Sequence, residues 1–313
     1  MRRVALIYNP MSGMNHGGRM SVIDKVVAVF RDADIEVRAI ATEGPGSAGR
    51  IAQEAIADGC DTVIACGGDG TVHEALQQMV GGLGTLGVIP MGTANALAID
   101  LGLPSSPVKA AKRLLSAVPE RVSVGRVSYM DSAGKPCSRY FVVAAGIGAD
   151  GLFFSRLDSK LKHRFGYAAY LVAALRMAFT HTFPLFRAKF TPTGTDGVET
   201  AEVSQILAVR ISNFGGMVNR LAPGAAIENK NLHVLAFKTR SRLRYMRFMV
   251  AVWIQRHTYS YPIELVDCST VECSDLEDAT VPSYVEADGE LLGTLPVRLE
   301  VVPTALTLLI PQK

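Results

Sequence analysis

Apolar and polar positions along the first 120 residues switch repeatedly between two periods. Val4-Ala5-Leu6-Ile7-Tyr8 is a continuous apolar run of strand length, the pattern of a strand buried on both faces. Met20, Ile23, Val26, Val27 and Phe30 then recur at helical spacing. Residues 35–40 read as a second strand. Ser47 is placed to cap a helix whose apolar stripe is Ile51, Ala52, Ala55 and Ile56. Residues 62–65 predict a third strand, 71–80 a helix with Val72, Ala75, Leu76 and Met79 inward, and 86–90 a fourth strand. Helices from about 93 and 107 close the unit. Strands alternating with helices predict an α/β domain with a parallel, doubly wound sheet, whose ligands bind beyond the carboxyl ends of its strands.

The pattern changes near Val118-Pro119-Glu120. Strand-like stretches follow at 121–129, 139–145, 186–190, 203–211, 232–237, 270–272 and 299–310, separated by turns such as Gly134-Lys135-Pro136. These predict a mostly antiparallel β-sandwich domain with helical insertions at about 152–180 and 241–256. The expected domains are 1–120 and 121–313, with the last strand able to pack back toward the first domain.

Composition narrows the class. Of 313 residues, 49% are hydrophobic and 19% charged, enough for a large core and too apolar for disorder. Five scattered cysteines with no CxxC pair point to reduced structural thiols of a cytosolic protein rather than disulfides or zinc. The apolar run after Met1-Arg2-Arg3 is too short for a signal peptide. The longest apolar stretch, 166–179, is interrupted by Arg176 and too short to span a bilayer. A net charge of +3 gives no reason to expect nucleic acid. The charges are segregated, however. Residues 151–190 carry seven Lys/Arg against one acid, 238–263 carry six and none, and 264–290 carry nine acids and no Lys/Arg. Such a distribution can steer an anionic surface to one side, although ordinary solvated faces account for it equally well.

The strongest chemical signal is Cys66-Gly67-Gly68-Asp69-Gly70-Thr71, directly after a strand and directly before a helix. Three glycines let backbone approach a ligand, and N–H groups at the helix start form an anion site. A carboxylate there would repel phosphate unless Mg²⁺ bridges the two, which makes Asp69 a candidate metal residue. The structural alternative is a tight turn with an Asp cap. There is no GxxxxGK[ST], so this is not a P-loop protein. Gly82–Gly87 matches GxGxxG but precedes a strand, and Gly146–Gly151 lacks the ribose-binding acid that a dinucleotide site needs.

Taken together, the motifs resemble the diacylglycerol kinase catalytic domain superfamily, which includes bacterial lipid kinases, sphingosine kinases and ceramide kinases. The resemblance rests on Asn9-Pro10-x-Ser12-Gly13, Thr42, Gly67-Gly68-Asp69-Gly70-Thr71-Val72-His73-Glu74, Pro90-x-Gly92-Thr93-Ala94-Asn95-x-Leu97-Ala98 and Glu286-Ala287-Asp288-Gly289-Glu290. It implies an ATP- and Mg²⁺-dependent lipid kinase acting on a hydroxyl of diacylglycerol, a sphingoid base or ceramide, with its active site in the interdomain cleft. By position, Asn9, Ser12, Gly13, Thr42, Gly67, Gly68, Asp69, Gly70, Thr71, Glu74, Gly92, Thr93 and Asn95 would bind the nucleotide, with Asp69 serving Mg²⁺. Asp288 would be the general base and Glu290 its support. Read without the resemblance, Asp288-Gly289 is equally a type I′ hairpin turn. The family's tendency to dimerise leaves a homodimer open.

Two departures matter. Many relatives have Asn where this chain has His73; sphingosine kinases resemble this chain in having His there, and a lone His there is more often structural. At 226–234, bacterial relatives usually read Asp-Gly-x-Leu-Asp, with the first Asp on a structural metal. Here the matching positions are Asn229, Lys230 and His233, a poor hard-cation set. On the lipid side, Arg156, Lys160, Lys162 and Arg164 precede an aromatic and apolar stretch, as suits the inner surface of an anionic membrane. For 241–256 the apolar stripe Leu243, Met246, Val250 and Trp253 is expected to pack on the β core. Rival readings are a small-molecule kinase of the NAD-kinase type and a nucleotide- or lipid-binding regulator without turnover.

Overall fold

The computed structural model describes residues 1–11, 18–148, 183–195, 197–215, 221–253, 263–277 and 279–312. Its chain divides into two units, Met1–Val122 with Thr304–Lys313, and Ser123–Pro303.

In unit 1, β1 (Arg3–Tyr8), β2 (Glu36–Ala41), β3 (Thr62–Gly67) and β4 (Thr85–Pro90) alternate with α1 (Arg19–Arg31), α2 (Ser47–Ala57) and α3 (Asp69–Met79). The short α4 (Ala96–Asp100) and α5 (Pro107–Leu114) follow. The strands lie in the order β2-β1-β3-β4, all parallel, as the βα alternation predicts. The chain reverses direction across the sheet at β1, so right-handed crossovers place helices on both faces. Accordingly α1 packs with α5 and α2 with α3. The central strand β3 is buried at all six positions, which explains why its sequence shows no alternation. The C-terminal segment adds one more parallel strand, with Thr307 and Leu308 opposite Thr85 and Leu86.

Ser47 does not cap α2. Gly46 is the N-cap residue and makes no side-chain cap. The Ser47 hydroxyl serves the preceding turn, accepting the Glu43 N–H at 3.1 Å and donating to the Gly44 carbonyl at 2.5 Å. The capping carboxylate comes instead from Glu74 on α3, which accepts the N–H groups of Gly46 at 2.7 Å and Ala48 at 3.1 Å.

Unit 2 is antiparallel. It holds most of β5 (Ala117–Met130), with β6 (Pro136–Phe141), β7 (Ala144–Gly148), β8 (Phe186–Pro192), β9 (Glu199–Val203), β10 (Gln205–Val209), β11 (Leu232–Phe237), β12 (Ile263–Asp275), β13 (Tyr284–Ala287), β14 (Glu290–Thr294) and the first part of β15 (Val297–Pro311). The order β14-β13-β7-β10-β11-β12 forms one layer. Strand β12 then shifts register between Cys268 and Thr270, and its far half pairs with β8 and β15 instead. A bulge that hands a strand from one set of partners to another is how β layers turn a corner. Phe141, Ile147, Phe186, Phe190, Ile206 and Leu299 meet in the core so enclosed. Gly125 is required there, since a Cβ would lie 2.1 Å from the Phe141 ring.

The outer face of β10 and β11 carries Val209, Leu235 and Phe237, and α6 (Arg242–Trp253) covers it with Tyr245 and Phe248. Phe248 meets Phe237 edge-on, with centroids 4.7 Å apart. The inward face of α6 therefore differs from the predicted stripe, because Leu243 is 65% exposed while Met246 is partly buried. The larger aromatic rings bury more apolar area. The side chains of Val250 and Trp253, and the predicted insertion at 152–180, lie outside the described residues.

Candidate active site

Parallel register brings four loops to one edge of unit 1. Tyr8 pairs with Ala41 and Cys66, and Gly67 pairs with Pro90. Asn9, Thr42, Gly68 and Met91 therefore each follow a strand end on the same side of the sheet. The Asn9 side chain closes its own turn by accepting the Met11 N–H at 2.8 Å. The Thr42 N–H donates to the Tyr8 carbonyl at 2.9 Å.

The loops after β3 and β4 are joined backbone to backbone. The Met91 N–H donates to the Gly67 carbonyl at 2.8 Å. A Cβ on Gly92 would sit 2.4 Å from the Gly68 Cα, so Gly92 needs to be glycine, and a Cβ on Gly68 would lie a tight 3.2 Å from the Gly92 Cα. Asn95 adopts a left-handed conformation, φ 51. Its amide closes the loop by accepting the Gly92 N–H at 2.8 Å and donating to the Gly92 carbonyl at 2.8 Å. Asp69 then ties the two loops. Its carboxylate accepts the N–H of Asn95 at 2.9 Å and of Ala96 at 2.7 Å. Asp69 thus opens α3 without capping it, and its carboxylate caps the start of α4 instead.

Below this platform Cys66 is fully buried, with its Sγ 3.3 Å from the Met91 Sδ. Burial pushes its thiol up to about 12, which makes it a packing group rather than a nucleophile. His73 is also buried, and its ring nitrogen Nε2 lies 3.4 Å from the Gln77 amide. Thr71 fills the space where a Cβ on Gly67 would lie, with its Oγ1 2.5 Å from that position. Gly92 is half-buried, and Thr93 is exposed.

In unit 2, residues 139–145 read in sequence as one strand, but β6 ends at Phe141 and β7 begins at Ala144. The break releases three N–H groups toward one acceptor. Asp288 takes Val142 at 3.0 Å on Oδ2, and Val143 at 2.9 Å and Ala144 at 3.1 Å on Oδ1. Asp288 and Gly289 form the two-residue turn between β13 and β14, with φ 49 and 85, the type I′ geometry that Asp-Gly favours. Glu286 has no role in the sequence reading, yet it is 2% exposed and its Oε2 accepts the Gly289 N–H at 2.9 Å. Strand alternation around the turn is the signal that would have found it, since Glu286 and Asp288 share a face. Glu290 is exposed. The predicted Ser12, Gly13, Arg156, Lys160, Lys162 and Arg164 lie outside the described residues.

Residues 3–127 match the diacylglycerol kinase catalytic domain, and residues 142–310 match the YegS C-terminal NAD kinase beta sandwich-like domain. A YegS-like lipid kinase of Chromohalobacter salexigens is 30% identical over 236 residues, 73% of this chain and 70% of that protein. The chain belongs to the diacylglycerol kinase family. A diacylglycerol kinase of Bacillus subtilis is 27% identical over 299 residues, 95% of this chain and 92% of that one. A crystal structure of a diacylglycerol kinase from Bacillus anthracis shares the fold, with TM-score 0.74 at 23% identity over 99% of this chain and 97% of that one. As a member of the diacylglycerol kinase family the chain is a kinase, a phosphotransferase with an alcohol acceptor. Kinases of this family work on ATP with a divalent metal. No helix among the described residues is long and apolar enough to cross a membrane.

Proposed function

We propose that this chain transfers the γ-phosphoryl group of ATP, with Mg²⁺, to a hydroxyl of a membrane lipid: diacylglycerol, a sphingoid base or ceramide. The observation that carries the reading is the Asp69 latch, in which one carboxylate fixes the loops after β3 and β4 through the N–H groups of Asn95 and Ala96. Phosphoryl transfer needs positioning and charge neutralisation more than covalent chemistry. A rigid platform floored by Gly68 and Gly92 lets phosphate oxygens reach the backbone, at the positive end of the α3 dipole. Asn9, Thr42, Gly67, Gly70, Thr71 and Thr93 are assigned to the nucleotide around this floor, and Ser12 and Gly13 are assigned to it by sequence alone. Glu74 acts from behind it, by holding the start of α2.

The Asp69 carboxylate is a hard oxygen donor held at the edge of the glycine floor by the Asn95 and Ala96 N–H groups, the donor type that Mg²⁺ takes, so the residues fit Mg²⁺. That ion would neutralise charge on the phosphates. Asp288 carries three backbone bonds, one of them on Oδ2. A carboxylate so fixed by the backbone is assigned to take the proton of the acceptor alcohol, with Glu290 adding negative charge close to it in sequence. The work is assigned to the inner membrane surface, where a lipid acceptor meets cytoplasmic ATP.

The binding of backbone N–H groups by both carboxylates is also what a regulator without turnover would display. A turnover assay separates the two readings. Protein, Mg²⁺ and labelled ATP are incubated over micelles holding one lipid at a time, with NAD as a polar control. Label in a lipid supports the proposal. Label only in NAD moves the acceptor to the NAD-kinase type, and ATP binding without any labelled product supports the regulator.

A further inference from the structure

Arg210 follows β10 and is 1% exposed, one of the largest fully buried side chains among the described residues. A buried charge demands compensation, and this one receives it from neutral backbone. Its Nη1 donates to the Asn231 carbonyl at 2.5 Å. Its Nη2 lies within bonding distance of three further carbonyls, those of Ser123 and Ile227 at 3.0 Å each and Asn229 at 2.7 Å. Three of the four carbonyls alternate along one stretch, Ile227, Asn229 and Asn231, so the chain wraps that stretch around the guanidinium. Burial pulls the Arg210 group down to about 10, with Glu228 opposing.

Carbonyl oxygens converging on one buried positive charge are the surroundings that a hard metal cation also seeks. The stretch is the one where the family resemblance implies a structural metal and where this sequence departs from the motif. The residues present do not fit a metal. The Asn229 amide donates to the Gly224 carbonyl at 2.8 Å. Lys230 brings positive charge, and the neighbouring carbonyls already serve Arg210. Among the described residues, no group of three or more His, Cys, Asp or Glu side chains could hold a metal ion.

We propose that the Arg210 guanidinium is the resident cation of this carbonyl cradle and ties residues 227–231 to β5 and β10 without a metal ion. A tethered cation cannot dissociate, so the stability of unit 2 is independent of divalent metal. Its removal leaves carbonyl oxygens facing a cavity that a small cation can enter.

The test reads thermal unfolding of the full chain and its metal content, neither of which requires catalysis. Wild-type protein stripped with EDTA keeps its Tm and holds no stoichiometric Mg²⁺ or Ca²⁺. Arg210→Ala lowers Tm by about 10 °C, and millimolar methylguanidinium restores part of that loss while equal NaCl does not. Asn229→Asp alone gains no metal-dependent Tm shift, whereas Arg210→Ala with Asn229→Asp gains one with Ca²⁺ or Mg²⁺ by mass action. A wild-type Tm that falls on chelation, or tightly held metal recovered from EDTA-treated wild type, overturns the proposal even if Arg210→Ala does not fold. An Arg210→Ala variant as stable as wild type overturns it as well.

Discussion

Asp69 and Asn95 lie 26 residues apart, yet the Asn95 N–H donates to the Asp69 carboxylate at 2.9 Å and links two glycine loops into one floor. The carboxylate thereby fixes the geometry to which phosphates would bind. Asp69→Asn keeps one acceptor oxygen but turns an amide N–H₂ toward a second N–H donor. It is expected to lower kcat/KM for ATP-dependent transfer about 10²–10³-fold, while circular dichroism shows the fold retained. Unchanged kinetics would remove Asp69 from the site.

Gly92→Ala tests the floor itself. The new Cβ would meet the Gly68 Cα at 2.4 Å and the Asn95 Oδ1 at 2.9 Å, contacts that backbone cannot relieve without parting the loops. A stability loss of about 1–3 kcal/mol and at least a tenfold rise in KM for ATP, on the order of the cost of misplaced binding groups, are expected from chemical denaturation and steady-state kinetics.

Glu74→Ala should behave differently. Glu74 caps α2 through Gly46 and Ala48, so its loss costs about 1 kcal/mol and lowers Tm by a few degrees. The expected rise in KM for ATP is smaller than that of Gly92→Ala, because Glu74 acts through a helix rather than on the ligand.

Much of unit 1 was legible because each strand and helix there declares itself by period, and because glycines are needed where loops touch. What sequence could not show is which partner a polar group takes. Asp69 reads as a metal residue, and the structure adds its bonds to Asn95 and Ala96. Ser47 has cap chemistry, but its hydroxyl serves the turn before α2, while Glu74 reaches N–H groups at the start of that helix from α3. In unit 2, residues 139–145 run on as one apolar, strand-like stretch, and only the carboxylate of Asp288, more than 140 residues later, explains the break after Phe141. Arg210 sits among apolar residues with no sequence sign that carbonyls would enclose it.

Acid stability offers a separate check. Burial raises the Asp61 carboxyl, but the Thr62 hydroxyl and the backbone N–H groups of Arg2 and Arg3 outweigh it and hold the group below its ordinary 3.8. A depressed carboxylate stabilises the fold above its unfolded value and loses that contribution as pH falls through the folded one. The stability gap between wild type and Asp61→Asn should therefore be constant above about pH 5 and shrink toward pH 2. Urea unfolding at several pH values measures it, and a gap that widens in acid would contradict the assignment.

The thiols should react unequally. Burial pushes Cys66 and Cys268 up to about 12 and Cys273 higher still, while Cys60 is buried and Cys137 is half-buried. Native protein with a thiol-specific chromogen at pH 8 should show one fast equivalent, lost in Cys137→Ser. Denaturation should release the rest.

The central claim is most directly tested by lipid phosphorylation with Asp288→Asn beside wild type, each supplied with Mg²⁺ and labelled ATP over micelles of diacylglycerol, sphingosine or ceramide. One lipid should be labelled by wild type, and the variant should lose about 10³-fold of that rate while binding ATP with unchanged affinity. A variant that phosphorylates lipid at the wild-type rate, or a wild type that binds ATP and labels no lipid, would contradict the account.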